Sequence, residues 1–333
     1  MGDCACDVFT GETKIPVFFL ELTFACNNAC VGCSNVFSHQ SNPPPLDYEG
    51  WHRVLERLAP TAAWFKITGG EPTLHPEFEA IIKDIDALGI PFTLFTNARW
   101  QEPKRLVSFL KSIPTLHGLL ISLHGPDAFS HEAFTCTPGS FEETVANIRL
   151  ATEAGLRVAT STVITRYNWN RIGEIVAFSK ELGARQAVFN RFIGSPLPQI
   201  EPTPLQFIKA VETIEALRAQ GASIRWGNPV PNCLAPNSSG VCMAGDAMAT
   251  VDPWGNVRPC NHAPMIVGNL LTQSLEEVWL SSGMEKWRSA RPPQCLKCSE
   301  FPSCYGWCRA ELMYKEAILL KSQEPALQDA STF

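Results

Sequence analysis

The chain has 333 residues, room for one large domain with a smaller one or for two of medium size, and its 45% hydrophobic and 18% charged composition is that of a soluble globular protein. A net charge of −6 argues against a nucleic-acid partner, because phosphate contact needs a basic surface. No apolar run reaches the length of a membrane span and the opening residues lack the apolar core of a signal peptide, which argues against a membrane partner and points to the cytosol.

Residues 1–14, with Cys4 and Cys6, read as an N-terminal tail. A β-branched and aromatic run at Val17–Phe24 predicts the first strand, and Cys26, Cys30 and Cys33 follow it directly. Strand-like runs recur at Trp64–Thr68, Phe92–Thr96, Leu119–Leu123, Val158–Ile164 and Ala187–Phe192. Between them the apolar spacing is helical, clearest at Phe78, Ile81, Ile82, Ile85 and Leu88, with Pro76 and Gly89 at the two ends. Ser140 with Glu143 reads as a capping box opening a helix that Gly155 stops, and Gly183 ends the next. Thr203, Pro204 and Gln206 open another that Gly221 closes. Six strand–helix units in series predict a parallel sheet with right-handed crossovers, short of the eight that close a barrel. The expected architecture is therefore α/β, a partial (β/α)6 TIM-like barrel over residues 15–225. A cysteine-rich domain follows over 226–318, then a C-terminal tail, 319–333. Asp252–Asn256 predicts a hairpin turn inside that second domain.

Ten of the 13 cysteines fall in two crowded regions, while Cys4, Cys6 and Cys136 stand apart. In the cytosol, where disulfides are rare, such clusters read as metal ligands. A cubane iron–sulfur cluster takes one thiolate per iron, so Cys26, Cys30 and Cys33 would leave a fourth iron open to a small molecule. A zinc site is the competing reading, with His39 the nearest extra donor. In barrel folds, chemistry gathers on the loops after the strands, which brings together this triplet, the Gly69-Gly70 turn, Asn97, His124 and Cys136. Glycines let backbone approach a ligand closely and offer unhindered amides. His124 is a candidate to hydrogen-bond substrate or cofactor, and Arg166 and Arg191 could meet an anionic cofactor or a substrate carboxylate. Lys66, inside the second strand, reads as a snorkelling stem with its charge near the strand edge.

CNNACVGC (Cys26–Cys33) after the first strand and GGEP (Gly69–Pro72) after the second together resemble the radical S-adenosylmethionine superfamily. Cys242, Gly255, Cys260 and the run Cys295-x2-Cys298-x5-Cys304-x3-Cys308, with VGNLLTQSLEEVW (Val267–Trp279) between, resemble its SPASM extension. The resemblance implies a 4Fe–4S cluster on Cys26, Cys30 and Cys33 whose open iron chelates S-adenosylmethionine. Its reductive cleavage gives a 5′-deoxyadenosyl radical that takes hydrogen from a substrate. It also implies that the turn with Gly69, Gly70 and Glu71 meets the methionine amino group, and that Asn97 and Ser122 meet ribose or methionyl carboxylate. One or two auxiliary 4Fe–4S clusters are implied, the first on Cys233, Cys242, Cys260 and Cys308, the second on Cys295, Cys298 and Cys304. The family's last cysteine is missing, so the second cluster could use an oxygen ligand (Glu324 and Asp329 are nearest), keep an open iron, or be absent. Gly32 departs from the aromatic or large apolar residue usual before the third cysteine. Cys136, in FTCTPGSF (Phe134–Phe141), replaces a family glycine, and could donate a hydrogen atom to a substrate radical, bind substrate or simply fill space.

The expected substrate is a ribosomally made precursor peptide, which the enzyme would cross-link or epimerise. The alternatives are a small molecule such as a tetrapyrrole precursor or, from another class, a non-catalytic iron–sulfur or zinc-binding protein. A reductase with flavodoxin or ferredoxin is the expected electron donor. Too few residues precede the first strand for a leader-binding domain, so a separate peptide-recognition protein is a further expected partner.

Overall fold

The computed structural model describes residues 16–33, 44–194, 196–235, 241–293, 295–304, 306 and 308–314. His39 and the two tails, with Cys4, Cys6, Glu324 and Asp329, lie outside the described residues.

The predicted strands form β1 (Val17–Glu21), β2 (Trp64–Thr68), β3 (Phe92–Thr96), β4 (Leu116–Ser122), β5 (Val158–Val163) and β6 (Gln186–Asn190), parallel and adjacent in chain order. Between them run α1 (Tyr48–Leu58), α2 (Phe78–Ala87), α3 (Pro103–Lys111), α4 (Ala128–Thr135), α5 (Ser140–Glu153) and α6 (Ile172–Glu181). α7 (Pro204–Ala219) opens on the predicted Thr203–Gln206 capping box and leads to β7 (Ile224–Trp226), a seventh parallel strand beside β6. Three residues carry too little periodicity for β7 to show in the sequence. At the other edge β8 (Met248–Val251) pairs parallel with β1. Beyond it, β9 (Asn256–Arg258) and β10 (Gly268–Asn269) add antiparallel, so Asp252–Asn256 is the hairpin its residues predict. The ten strands run from β10 to β7 without closing, as a partial barrel requires.

Alternation decides which face each side chain takes. Phe65, Ile67, Leu94 and Ile121 turn to the helices and pack with Leu55, Ile82, Leu110 and Ile148, each burial contributing about 1.5–3 kcal/mol. Phe189 and Ile224 do the same against Ile175 and Ile214. The intervening residues Trp64, Lys66, Thr68, Phe95, Leu120, Ser122, Ser161 and Asn190 face the other way and stay half-exposed, so described residues do not seal that inner face.

Three local expectations are corrected. β1 stops at Glu21, earlier than its apolar run, because the Leu22 amide bonds Thr68 O and the Thr23 carbonyl accepts from Gly70. Ser140 caps nothing: Gly139, at φ 80°, precedes α5, and the Ser140 hydroxyl lies 2.8 Å from that of Thr135. The tight link from α4 needs a left-handed residue there, which glycine supplies. Lys66 does not snorkel to an edge. From mid-strand its ammonium sits 4.6 Å from the Phe19 ring centroid and 5.9 Å from that of Phe95.

The C-terminal region docks through charge. Arg258 of β9 pairs with Glu21 of β1 in the interior and Glu311 with Arg191 at 2.9 Å, while Arg309 and Asp246, 3.0 Å apart, pair within the region itself. Its helices are α8 (Leu275–Trp279), α9 (Ser282–Ser289) and the short α10 (Phe301–Cys304). Among the described residues no helix is long and apolar enough to cross a membrane.

Candidate active site and auxiliary cysteine groups

The loop holding Cys26, Cys30 and Cys33 leaves β1 at the end where β2, β3 and β4 also finish. It is tied down from two sides. Ala29 and Val31 amides donate to Thr135 O and Phe134 O at 3.1 and 3.0 Å. From β3, Asn97 Nδ2 donates to Asn27 Oδ1 at 2.7 Å and lies 3.7 Å from Cys26 Sγ. Arg99 reaches Asn27 O and Asn28 Oδ1 while Glu143 holds its guanidinium at 3.0 Å. Arg99 and Asn27 were not singled out from the sequence, and Glu143 only as a helix cap; the contacts alone mark them as parts of this site.

The glycine pair packs against this loop, and the Gly70 amide is spent on it. Gly70 N donates to Thr23 O at 2.7 Å and Glu71 N to Ala25 O at 2.8 Å. A Cβ on Gly69 would lie 2.3 Å from Thr23 O, and one on Gly70 2.3 Å from Ala25 O. Close backbone approach, at φ 140° for Gly69, explains both glycines. The Glu71 carboxylate is fully buried and knots the turn to the end of β3. It accepts from Thr73 Oγ1 at 2.7 Å, Thr96 Oγ1 at 2.9 Å and Asn97 N at 2.8 Å. Burial raises its pKa, and those donors pull it back.

Gly32 has a compensating partner. A Cβ there would meet the Phe192 ring at 2.4 Å and Phe134 at 3.0 Å. Phe192, arriving after β6, thus fills space that a side chain at position 32 would take. Cys136 caps α4 in the left-handed region, φ 51°, the conformation the family glycine would favour. Its thiol lies near the triplet. Burial raises the Cys30 pKa, and Cys33, Cys26 and Cys136 raise it further.

Other candidates sit differently. Ser122 ends β4 on the inner face beside Ser161, whose hydroxyl accepts from Asn190 Nδ2 at 3.0 Å. His124 is buried, its ring 4.2 Å from that of Phe134, and its Nδ1 accepts from Val163 N at 3.3 Å. Arg166 is exposed and donates to Glu201 O at 3.3 Å. Arg191 is buried and turned to Glu311, toward the C-terminal region.

In the structure the C-terminal cysteines group otherwise than the resemblance implies. Cys242, Cys260 and Cys308 share one apolar cluster with Ala263, Trp287 and Tyr314. Burial raises the Cys260 thiol, and Cys308 and Cys242 add to it. Cys233 is with the other group. The neighbouring Asn232 Nδ2 lies 3.4 Å from Ser303 Oγ, and the Cys233 thiol is raised by burial, then by Cys304, Cys295 and Cys298. The chain folds residue 233 back onto α10, a return that spacing alone does not reveal. One group thus has three thiols and the other four.

No disulfide joins the described cysteines. Among the described residues no three His, Cys, Asp or Glu side chains are spaced for a single metal ion. A cubane is a body with an iron at each thiolate, not a point, and thiols that raise one another's pKa are stabilised as thiolates by such a cationic core. The donor sets therefore fit iron–sulfur clusters.

Comparison with known proteins agrees. Residues 20–179 match the Radical SAM superfamily, and residues 242–304 the SPASM iron–sulfur cluster-binding domain. A PqqA peptide cyclase of Methylocella silvestris is 27% identical over 307 residues, 87% of this chain and 82% of its own. The mycofactocin maturase MftC of Mycobacterium ulcerans is 28% identical over 310 residues, 87% of this chain and 82% of its own. An AdoMet-dependent heme synthase of Methanosarcina barkeri is 24% identical, covering 87% of this chain and 90% of its own. In fold, the chain is similar to Streptococcus suis SuiB bound to S-adenosylmethionine, with a TM-score of 0.74 at 19% identity over 90% of this chain and 74% of that one. The chain belongs to the radical S-adenosylmethionine superfamily, in its SPASM branch, and is an enzyme that uses a 4Fe–4S cluster, S-adenosylmethionine and auxiliary iron–sulfur.

Proposed function

We propose that the substrate is a ribosomally made precursor peptide, modified by cross-linking, epimerisation or a related step. The inner face carries this reading. It is half-exposed from β2 to β6 and runs up to the cysteine loop, an open groove of the kind an extended chain can enter. The peptide cyclase and maturase relatives support it. When bound, the cluster and S-adenosylmethionine supply reductive cleavage to a 5′-deoxyadenosyl radical and hydrogen abstraction from substrate.

The chain's own residues divide the work. Cys26, Cys30 and Cys33 hold the first cluster, within residues 15–225. Cys242, Cys260 and Cys308 hold one auxiliary cluster and Cys233, Cys295, Cys298 and Cys304 the other, within 226–318. Asn97 and Arg99 fix the loop that carries the first cluster, Glu71 fixes Asn97, and Ser122 lies on the groove where cofactor or substrate passes. The Cys136 thiol, close to Cys30, is placed for hydrogen donation. His124 and Arg191 keep the walls of the site in place. We place the enzyme in the cytosol, with a flavodoxin or ferredoxin as electron donor and a separate protein for leader recognition.

The test is anaerobic. Reconstituted, dithionite-reduced protein should form 5′-deoxyadenosine, and the triple variant Cys26→Ala/Cys30→Ala/Cys33→Ala should form none and lose about four irons. A short precursor gene beside this chain's own would favour the peptide, and mass spectrometry of its product after turnover should show a modified residue. Turnover of a tetrapyrrole precursor and of no peptide would favour the second reading, which the heme synthase relative supports.

A further inference from the structure

The inner face holds two cations that the cluster site does not use. Lys66 rises from the middle of β2, its ammonium against the Phe19 and Phe95 rings. Arg225 stands mid-strand in β7. Its neighbours Ile224 and Trp226 turn to the helix-side cluster, so Arg225 turns inward. β2 and β7 lie five steps apart in the sheet, yet the two charges feel each other. Burial first, and the Arg225 charge second, hold the Lys66 ammonium below its usual range. Both side chains stand on the inner face of the one curled sheet. Among the described residues neither donates a hydrogen bond or joins an ion pair.

Ring faces attract a cation but carry no net negative charge, which leaves the mutual repulsion unanswered. An anion between them would answer it. Lys66 is three residues before Gly69, about 10 Å of extended chain from the turn beside the cysteine loop. A group held there lies below the face where cofactor and substrate meet.

We propose that Lys66 and Arg225 bind a carboxylate of the substrate and so set which residue of the peptide is presented to the cluster face. This rests on the peptide reading above. The carboxylate is an acidic side chain or the peptide C-terminus.

The test uses the full reconstituted chain loaded with S-adenosylmethionine and three N-acetylated tripeptides, followed by calorimetric titration. One is glycyl-glutamyl-glycine amide, with only a side-chain carboxylate. Another is glycyl-glutaminyl-glycine with a free C-terminus. The third is its amide, with no carboxylate. At least one carboxylate peptide should bind about tenfold or more tighter than the neutral one, and which one does so names the source. Lys66→Met and Arg225→Gln should each remove most of that preference. Arg225 is exposed, so its variant guards against a folding defect in the other. No preference in the wild type, or a preference that survives both substitutions, overturns the proposal. So does a loss of affinity for S-adenosylmethionine by about tenfold in either variant, because the cations would then serve the cofactor's carboxylate. If the preference holds but no ribosomal peptide is modified, the peptide reading fails and the carboxylate site stands.

Discussion

The two cysteine regions are held in different ways. Around Cys26–Cys33 the fastening is directional: Asn97, Arg99, Phe134, Thr135 and the glycine turn each fix a named backbone or side-chain atom. Around Cys242, Cys260 and Cys308 it is apolar packing against Trp287 and Ala263, with the ion pairs of Arg258 and Arg191 joining region to barrel and that of Arg309 closing within the region. The first arrangement suits a cluster with an open iron, where a small molecule must be oriented and an error of about 1 Å costs on the order of a hundredfold in rate. The second suits clusters whose ligands need only be brought together.

The strongest way to break that contrast is Gly70→Ala. The new methyl carbon would lie 2.3 Å from Ala25 O and 2.6 Å from Phe24 O, both backbone atoms of the cysteine loop. The loop must shift, and 5′-deoxyadenosine formation should fall about a hundredfold or more. Auxiliary iron, counted on the same protein, should stay. Near-normal turnover would mean that the loop is as tolerant as the C-terminal region.

Iron counting sharpens the other half. Cys233→Ala should remove about four of about twelve irons. Adding Cys295→Ala should remove no more, whereas adding Cys242→Ala should bring the loss to about eight. The reverse pattern would return Cys233 to the group of Cys242.

How much of this was legible in the sequence follows from the range of the interactions. Strands, helices and the cluster motif are local patterns, so six strands, the Thr203 capping box and the Asp252–Asn256 hairpin all appear where their residues predict. The motif cysteines could be picked out by spacing, but not their grouping, because residue 233 meets residues 295–304 only through tertiary folding. Phe192 opposite Gly32 is likewise a pair distant in sequence and near in space, and Lys66 and Arg225 come to one inner face only through the sheet. Glu71 and His124 were legible as site residues by position, but their burial was not, since it depends on what the rest of the chain packs over them.

Asn97→Ala probes the directional contacts of one side chain. It removes the contact to Cys26 Sγ, the bond to Asn27 Oδ1 and the bond that Asn97 Oδ1 accepts from Arg99 N, while the Asn97 backbone amide still serves Glu71. Hydrogen bonds to cluster sulfur tune its potential, so the midpoint potential should shift and the rate of S-adenosylmethionine cleavage fall about tenfold. An unchanged potential with the same rate loss would assign Asn97 to loop geometry alone.

The smallest effect concerns the wall behind the loop. Burial pushes the pKa of His131 down to about 4, and holds that of His124 well below its usual range with His131 adding to it. Both folded-state pKa values are lower than those of an unfolded chain, so the unfolded chain takes up protons first as pH falls. Stability that is complete above about pH 6.5 is therefore lost progressively toward pH 4, on the order of 3 kcal/mol for His131. His131→Asn keeps an acceptor near the His124 amide, which now bonds His131 Nδ1 at 3.2 Å, and removes the titrating ring. Its unfolding midpoint in urea should vary less between pH 7 and about pH 5 than that of the wild type. Equal slopes would place the acid sensitivity in the cysteine regions, where loss of iron rather than protonation of the wall would set it.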